Sequence, residues 1–190
     1  FSGDRLYPDY VSLSTRCASF DGKYVLVVSR KTGSGPHLLK FSDLKTGKID
    51  PIMLDMTDVS GGTYTYNTGA LANGHVYISS LSGSQASPLK IYYWETPNSK
   101  PQTIANINVA SIPGAGVRHG DNISVNVDTN GNGFIFFGDN ASKTILRLTV
   151  SKHTTIGDPV VLPSNANVTG FMNVYRIENT DQYVWSGVRQ

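Results

Sequence analysis

The 190-residue chain lacks several features that mark whole classes of protein. It has a single cysteine, Cys17, so it cannot form an intrachain disulfide. No stretch approaches 18 consecutive apolar residues, which excludes a transmembrane helix. Charge is also scarce, because 16% of the residues are charged and the formal net charge is +2. With no basic run, that balance provides no electrostatic surface for nucleic acid, and we expect no nucleic-acid partner.

Strong helix formers are scarce as well. The chain has only two glutamates, Glu95 and Glu178, and no long segment shows the apolar period of 3.6 residues that a helix requires. It has instead 19 glycines, 9 prolines and 10 tyrosines, residues that favour turns and half-buried pleated strands. A hydrophobic fraction of 39% is too high for a disordered chain. The composition therefore predicts an all-β domain.

A weak repeat with a period near 50 residues runs through the chain. In each of the first three units, a glycine turn precedes an apolar strand, and a proline begins the strand that closes the unit. The glycines are Gly22, Gly74 and Gly133, and the prolines are Pro51, Pro101 and Pro159. Because proline cannot donate to a β-ladder, it belongs at an edge strand or at a strand start.

A further strand precedes each hairpin, so each unit has four strands, as in a β-propeller blade. We predict a single propeller-like domain of about three and a half blades, covering approximately 11–54, 67–104, 121–162 and an incomplete 170–190. The alternative is a β-sandwich, which needs no repeat.

The number of units bears on completeness. Three and a half blades are too few to close a ring, so we expect missing blades or a second copy to complete it. The chain also begins at Phe1 rather than at Met and carries no signal-peptide pattern. Both observations predict a processed product or a piece of something longer.

The longest connections between predicted blades carry the candidate site residues. Residues 55–67 include Tyr64 and Tyr66, whose rings could stack on a sugar or contact a partner. The alternative is that they begin the next strand and pack between blades. Residues 106–121 place Arg118, His119 and Asp121 within four positions, where they could hold a polar ligand. The alternative there is a loop braced by an Arg–Asp pair.

Two more arginines, Arg30 and Arg189, follow apolar strands at positions that the repeat makes equivalent. They could face one central surface, or they could brace the blades.

Motifs for catalysis and for cofactors are absent from the sequence. There is no Gly-x-Ser-x-Gly elbow, no His-Glu-x-x-His and no phosphate-cradling loop, so we predict no catalytic residues and no cofactor. Residues 128–135 match the first eight positions of an EF-hand calcium loop. Neither flank has a helical pattern, however, and the two Asn-Gly pairs indicate a hairpin turn, so we predict no metal site.

The segments DGKYVLVVSR (21–30) and RHGDNISV (118–125) resemble a known family. It comprises secreted or lipid-anchored β-propeller-like proteins of unknown function from Bacteroidetes, some of them encoded beside polysaccharide-utilisation genes. The resemblance covers about three blades. It implies a cell-envelope location, either periplasmic or at the extracellular surface, with association with the outer membrane as one alternative, and a binding role for which a glycan is one candidate ligand. It provides no catalytic residues.

Three functions are compatible with these features. The first is a non-catalytic cell-envelope module that binds a glycan or a protein through the long loops. The second is part of a carbohydrate-active propeller enzyme, which would need two carboxylates facing one pocket, partly in the missing blades. The third is a structural or assembly role in which the open blade edges form the interface. The absent motifs and the scarcity of charge favour binding.

Overall fold

The computed structural model describes residues 11–31, 35–47, 50–83, 87–116, 118–139, 143–164 and 173–186. These residues form four antiparallel sheets with almost no helix, which confirms the all-β prediction. In three of these sheets, strands that follow one another along the chain are hydrogen-bonded neighbours, and the same holds for the first four strands of the remaining sheet. Such a meander needs only the short turns that the many glycines and asparagines favour.

The strands follow one another in chain order. Sheet I contains β1 (Thr15–Phe20), β2 (Tyr24–Ser29), β3 (Gly35–Lys40) and β4 (Ile52–Met53). Sheet II contains β5 (Tyr64–Ala72), β6 (His75–Leu81), β7 (Leu89–Trp94) and β8 (Gln102–Ile107). Sheet III contains β9 (Ser124–Val127), β10 (Gly133–Gly138), β11 (Thr144–Ser151), β12 (Thr155–Ile156) and β13 (Val160–Pro163). Sheet IV contains β14 (Asn173–Arg176) and β15 (Tyr183–Ser186).

The three prolines of the repeat lie where the sequence predicts them. Each is the residue immediately before a strand at the outer edge of its sheet: β4, β8 or β13. In sheet III the outer edge is divided, since β12 and β13 pair with different parts of β11. A residue without an N–H is tolerated at these edge positions because no neighbouring strand needs its donor.

One short helix lies between the third and fourth strands of sheet I. β3 ends at Lys40, and α1 covers Phe41–Lys45. The Phe41 ring packs 4.8 Å from the ring of Phe20, between centroids. This aromatic contact holds the first turn of α1 against the hairpin of sheet I. A single 3₁₀ turn, Val109–Ser111, follows β8.

Sheet II buries both of its faces, which explains the continuous apolar runs in β6 and β7. Alternate side chains of a strand point to opposite faces. Tyr77 and Tyr93 therefore join a core shared with sheet III, while Ile78, Tyr92 and Trp94 join a core shared with sheet I. Strands buried on both sides lose the polar–apolar alternation of half-exposed strands.

Sheet III continues the same stacking. Ile135 and Phe137 of β10 join the core with sheet II, whereas Phe136 joins Val174 in a smaller core with sheet IV. Among the described residues, the outward face of sheet I is covered by local contacts around Val27 and Leu39, with Leu44 of α1 packed against them. The four sheets therefore stack in chain order, with one core between each successive pair.

The first strands of the four sheets lie side by side: β1 contacts β5, β5 contacts β9, and β9 contacts β14. Side chains of one strand bond the backbone of the next. The Gly69 N–H donates to Cys17 Sγ (3.1 Å), and the Leu71 N–H donates to Ser19 Oγ (3.0 Å). Asn126 Nδ2 donates to the Val174 carbonyl (3.0 Å) in the same manner. Burial raises the pKa of the Cys17 thiol, as expected for a structural rather than a reactive cysteine.

Candidate functional site

The segment from Arg118 to Asp121 leads into the first strand of sheet III and is bonded to the end of β6. The Ser82 N–H donates to the His119 carbonyl (2.9 Å), and the His119 N–H donates to the Ser82 carbonyl (3.1 Å). Gly120 has φ +96°, and a Cβ at this position would lie 2.1 Å from the Ser80 carbonyl oxygen. Only glycine allows this close approach of two backbones.

Asp121 is the anionic centre of this region. Arg118 donates two hydrogen bonds to the Asp121 carboxylate: Nε donates to Oδ2 (2.6 Å), and Nη2 donates to Oδ1 (2.9 Å). Arg16, on β1, brings a third guanidinium nitrogen to 3.7 Å from Oδ1. The Asp121 side chain is fully buried, whereas 43% of the Arg118 side chain is exposed. Its hydrogen bond to Asp121 raises the pKa of Arg118.

Arg30 reaches the same region from the end of β2. Its Nε donates to Asn67 Oδ1, and Asn67 Nδ2 donates to the Gly120 carbonyl (2.5 Å). The guanidinium carbon of Arg30 lies 3.9 Å from the centre of the Tyr64 ring, in a cation–π contact. Burial lowers the pKa of Arg30, and the positive charges of Arg16 and Arg118 act in the same direction, whereas Tyr64 and the negative charge of Asp121 act in the opposite one.

We call the group formed by Arg16, Arg30, Arg118 and Asp121 the arginine cluster. Arg16 lies near the start of β1 and Arg30 directly after β2, both strands of sheet I, whereas Arg118 and Asp121 precede β9 of sheet III. Within the cluster, Arg118 and Arg16 are paired with the Asp121 carboxylate, and Arg30 lies beside them. Arg30 has only neutral hydrogen-bonding and stacking partners among the described residues, and its Nη2 is buried there without a partner. The arrangement combines bracing with concentrated positive charge.

His119 lies beside the cluster but takes no part in it through hydrogen bonds. Its side chain is buried, and neither ring nitrogen has a partner among the described residues. Burial lowers its pKa, while the nearby negative charge of Asp139 acts in the opposite direction. Asp139 is itself buried at the end of β10, against the backbone of Gly116. His119 is therefore a neutral, buried ring rather than an exposed ligand-contacting group.

The structure separates the two predicted tyrosines. Both belong to β5, as the alternative interpretation of the sequence had them. Tyr66 packs against the core between sheets I and II. Tyr64 remains 45% exposed, next to Arg30. Arg189 lies outside the described residues, so its equivalence with Arg30 stays a prediction.

The segment with the calcium-loop pattern is a turn between β9 and β10, flanked by strands rather than helices. Asp128 Oδ1 accepts hydrogen bonds from the N–H groups of Asn130 and Asn132, both at 2.9 Å. These bonds lower the pKa of Asp128. The carboxylate thus closes a hairpin turn, as the Asn-Gly pairs indicate.

A second polar cluster, at the turn ends of sheets II and III, is not apparent from the sequence. Tyr93 Oη and His75 Nδ1 share a hydrogen bond (2.8 Å), as do Tyr77 Oη and His153 Nδ1 (3.0 Å). The two imidazole centres are 4.0 Å apart. Each Nδ1 thus has a tyrosine partner. The two tyrosines and two histidines form a polar contact between sheets II and III, beside the core that these sheets share.

Arg16 and Asn67 are the site residues that sequence reasoning missed. Neither lies in a motif, and each acquires its role from a partner more than 50 residues away, Asp121 for the first and Gly120 for the second. Within the described ranges, no group of three histidine, cysteine, aspartate or glutamate side chains is placed to hold a metal ion. No helix there is long and apolar enough to span a membrane.

Comparisons with known proteins provide a family but no activity. A family model described as "Domain of unknown function (DUF4623)" matches residues 2–190. The crystal structure of a DUF4623 family protein from Bacteroides eggerthii DSM 20697, at 1.91 Å resolution, is similar with a TM-score of 0.90 and 63% sequence identity. The match covers 100% of this chain and 44% of that protein, so the chain spans less than half of the relative's length. No curated protein matches significantly. The Bacteroides relative supports the predicted link to Bacteroidetes.

Proposed function

Because the chain belongs to the DUF4623 family of domains of unknown function, we propose a function from its geometry: a non-catalytic module that binds a glycan or a protein at the arginine cluster. The observation that carries the proposal is the pairing of two guanidiniums, of Arg118 and Arg16, with one buried carboxylate, beside a third guanidinium, of Arg30, stacked on the half-exposed Tyr64. Arginine and tyrosine are the residues that most often dominate binding surfaces.

The proposal includes a propeller-like ring in which the four sheets are successive blades, approximately 11–54, 67–104, 121–162 and 170–190. Two observations support it. Sheets II and III bury both faces in cores shared with the sheets before and after them. The first strands of neighbouring sheets also contact each other, as innermost strands around an axis do. A sandwich buries two sheets in a single shared core.

Further blades, or a second copy, complete the ring in this proposal. An apolar cavity of about 180 Å³ lies between sheets III and IV, where two strands of sheet IV cover the longer sheet III. Its lining includes Phe136, Leu162 and Trp185. The Bacteroides relative is more than twice as long as the stretch matched here, which leaves room for further blades. Mass measurement in solution separates a dimer from a monomer completed by its own chain.

The proposed location is the periplasm or the cell surface, as the resemblance to envelope proteins implies. Cell fractionation, followed by protease treatment of intact cells, tests it. Recovery in the envelope or periplasmic fraction is the expected result. Recovery in the cytoplasmic fraction alone contradicts the location and leaves the binding site as a separate question.

The binding proposal is tested by glycan-array screening followed by calorimetric titration of the best ligand. Replacement of Tyr64 by alanine should weaken binding about tenfold or more, because an exposed aromatic beside an arginine is a typical anchor. Tyr175→Ala is the matched control, since Tyr175 is also exposed, at 59%, but lies on β14 outside the cluster. Equal affinities of the two variants would exclude Tyr64 from the binding surface.

A further inference from the structure

We propose that the arginine cluster is a receptor for an oxyanion, a carboxylate or sulfate group, carried by an acidic glycan. This inference rests on the proposed function, because it assigns the chemical class of the ligand to the same site. It goes further in predicting that charge, rather than sugar shape alone, selects the ligand.

The first argument is the balance of charge. Asp121 accepts two hydrogen bonds from Arg118 and is also within 3.7 Å of Arg16. Arg30 lies close enough for the charges of Arg16 and Arg118 to lower its pKa and for that of Asp121 to raise it, and its direct partners among the described residues, Asn67 and Tyr64, are neutral. One carboxylate therefore faces three guanidiniums, and like charges in a partly buried region are costly unless a further anion neutralises them. A bound oxyanion would relieve this repulsion.

The second argument is the supply of donors. A guanidinium carries five N–H donors in a planar fork that matches carboxylate and sulfate oxygens. Arg118 directs two of its donors to Asp121, which fixes the orientation of its guanidinium. The Arg118 side chain is still 43% exposed, so part of it remains open to solvent. Asp121 therefore acts as a positioning residue that presents Arg118 to a ligand.

The third argument is that structural bracing alone needs fewer arginines. One bidentate Arg118–Asp121 pair already closes the loop, and Asn67 already bonds it to sheet II through the Gly120 carbonyl. Among the described residues, the Arg30 side chain contributes to that brace through Asn67 Oδ1, an acceptor that any neutral donor would satisfy. Its buried Nη2 has no partner there, which is costly for stability, so bracing does not explain why a guanidinium stands at this position.

The fourth argument concerns the sugar. Tyr64 stands beside Arg30 with 45% of its surface exposed. An aromatic ring next to a guanidinium provides an apolar surface for a sugar ring and a charged group for its acidic substituent. An acidic glycan fits this pair of groups better than an isolated inorganic anion does.

The experiment is calorimetric titration of the protein with three probes at one ionic strength: D-glucuronate, D-glucose 6-sulfate and D-glucose. Constant ionic strength removes general screening effects. We expect saturable binding of one or both acidic sugars and none of glucose. Binding of glucuronate alone assigns a carboxylate, binding of the sulfate alone assigns a sulfate ester, and binding of both assigns a general oxyanion site.

Variants test whether the cluster is responsible. Arg30→Gln and Arg16→Gln both leave the Arg118–Asp121 hydrogen bonds in place, and each should weaken acidic-sugar binding about 10- to 100-fold, the range for a lost charge-assisted hydrogen bond. Arg176→Gln is the matched control, because Arg176 is an exposed arginine paired with Asp181 on sheet IV. If Arg30→Gln does not fold, the same titrations are made with Arg16→Gln and Arg30→Lys, and the same loss of acidic-sugar binding is expected.

The outcomes distinguish this inference from the proposed function. A neutral glycan that binds and depends on Tyr64, with no preference for acidic sugars, overturns the oxyanion inference and leaves the binding module standing. Acidic-sugar binding that is equal in Arg30→Gln, Arg16→Gln and Arg176→Gln also overturns the inference, because the charge then acts elsewhere. Absence of any saturable ligand, acidic or neutral, contradicts both proposals.

Discussion

Replacement of Gly120 by alanine should destabilise the protein much more than the same change at Gly22. The two glycines have nearly the same backbone conformation, with φ +96° and +95°. A side chain in this left-handed region costs about 1–2 kcal/mol in either position. A Cβ at Gly22 would meet none of the described residues within 4 Å, so Gly22→Ala measures this conformational cost.

At Gly120 a second cost arises from packing. The new Cβ would lie 2.1 Å from the Ser80 carbonyl oxygen, where ordinary contacts begin near 3.4 Å. The two backbones would have to separate by roughly 1.3 Å, and overpacking of this kind costs about 1–3 kcal/mol. The expected loss in unfolding free energy is therefore about 2–5 kcal/mol for Gly120→Ala, against about 1–2 kcal/mol for Gly22→Ala.

The same displacement should reach the candidate site. The Gly120 carbonyl accepts from Asn67, whose other amide atom accepts from Arg30. Moving the carbonyl therefore shifts the group that holds the Arg30 guanidinium. Urea unfolding followed by tryptophan fluorescence measures the stability change, and titration with an acidic sugar measures the effect on the site. Equal stability losses in the two variants would refute the close-contact reasoning.

Three further predictions concern the cores and the buried histidine. Phe137→Ala should lower the free energy of unfolding by about 3–5 kcal/mol, because this side chain is fully buried between sheets II and III. Phe20→Ala, at a residue that is 52% exposed, should lower it by about 1 kcal/mol or less. Thermal unfolding of the two variants compares these losses. Asn126→Ala should accelerate amide hydrogen exchange at Arg176, whose N–H donates to Asn126 Oδ1, while exchange in β6 stays unchanged. Burial lowers the pKa of His119, so below a pH of about 6.5 the unfolded chain binds more protons and stability decreases on acidification. The His119→Phe variant should show a shallower decrease in urea unfolding between pH 7 and 5; an unaltered pH dependence would contradict this.

Local sequence patterns were sufficient for the strands. Pro51, Pro101 and Pro159 predict edge strands because proline lacks an N–H, and each does precede an outer strand. The apolar runs of β6, β7 and β10 lie in the cores between the sheets. At the start of α1, the Phe41 ring packs against Phe20, a contact across the hairpin that no local pattern displays. Strand formation depends on short-range propensity and periodicity, which a sequence displays directly.

The candidate site depends on contacts that no local pattern displays. The sequence by itself identified Arg118 and Asp121, because they are neighbours along the chain, and it suggested Arg30 from the repeat. Only the tertiary structure brings Arg16 and Asn67 to the same place, because strand order and sheet stacking bring the starts of β1 and β5 together beside the segment before β9. It also decided that Tyr66 joins the core while Tyr64 stays exposed. Propensity acts between neighbouring residues, whereas charge and burial are determined by the side chains that the fold places around each group.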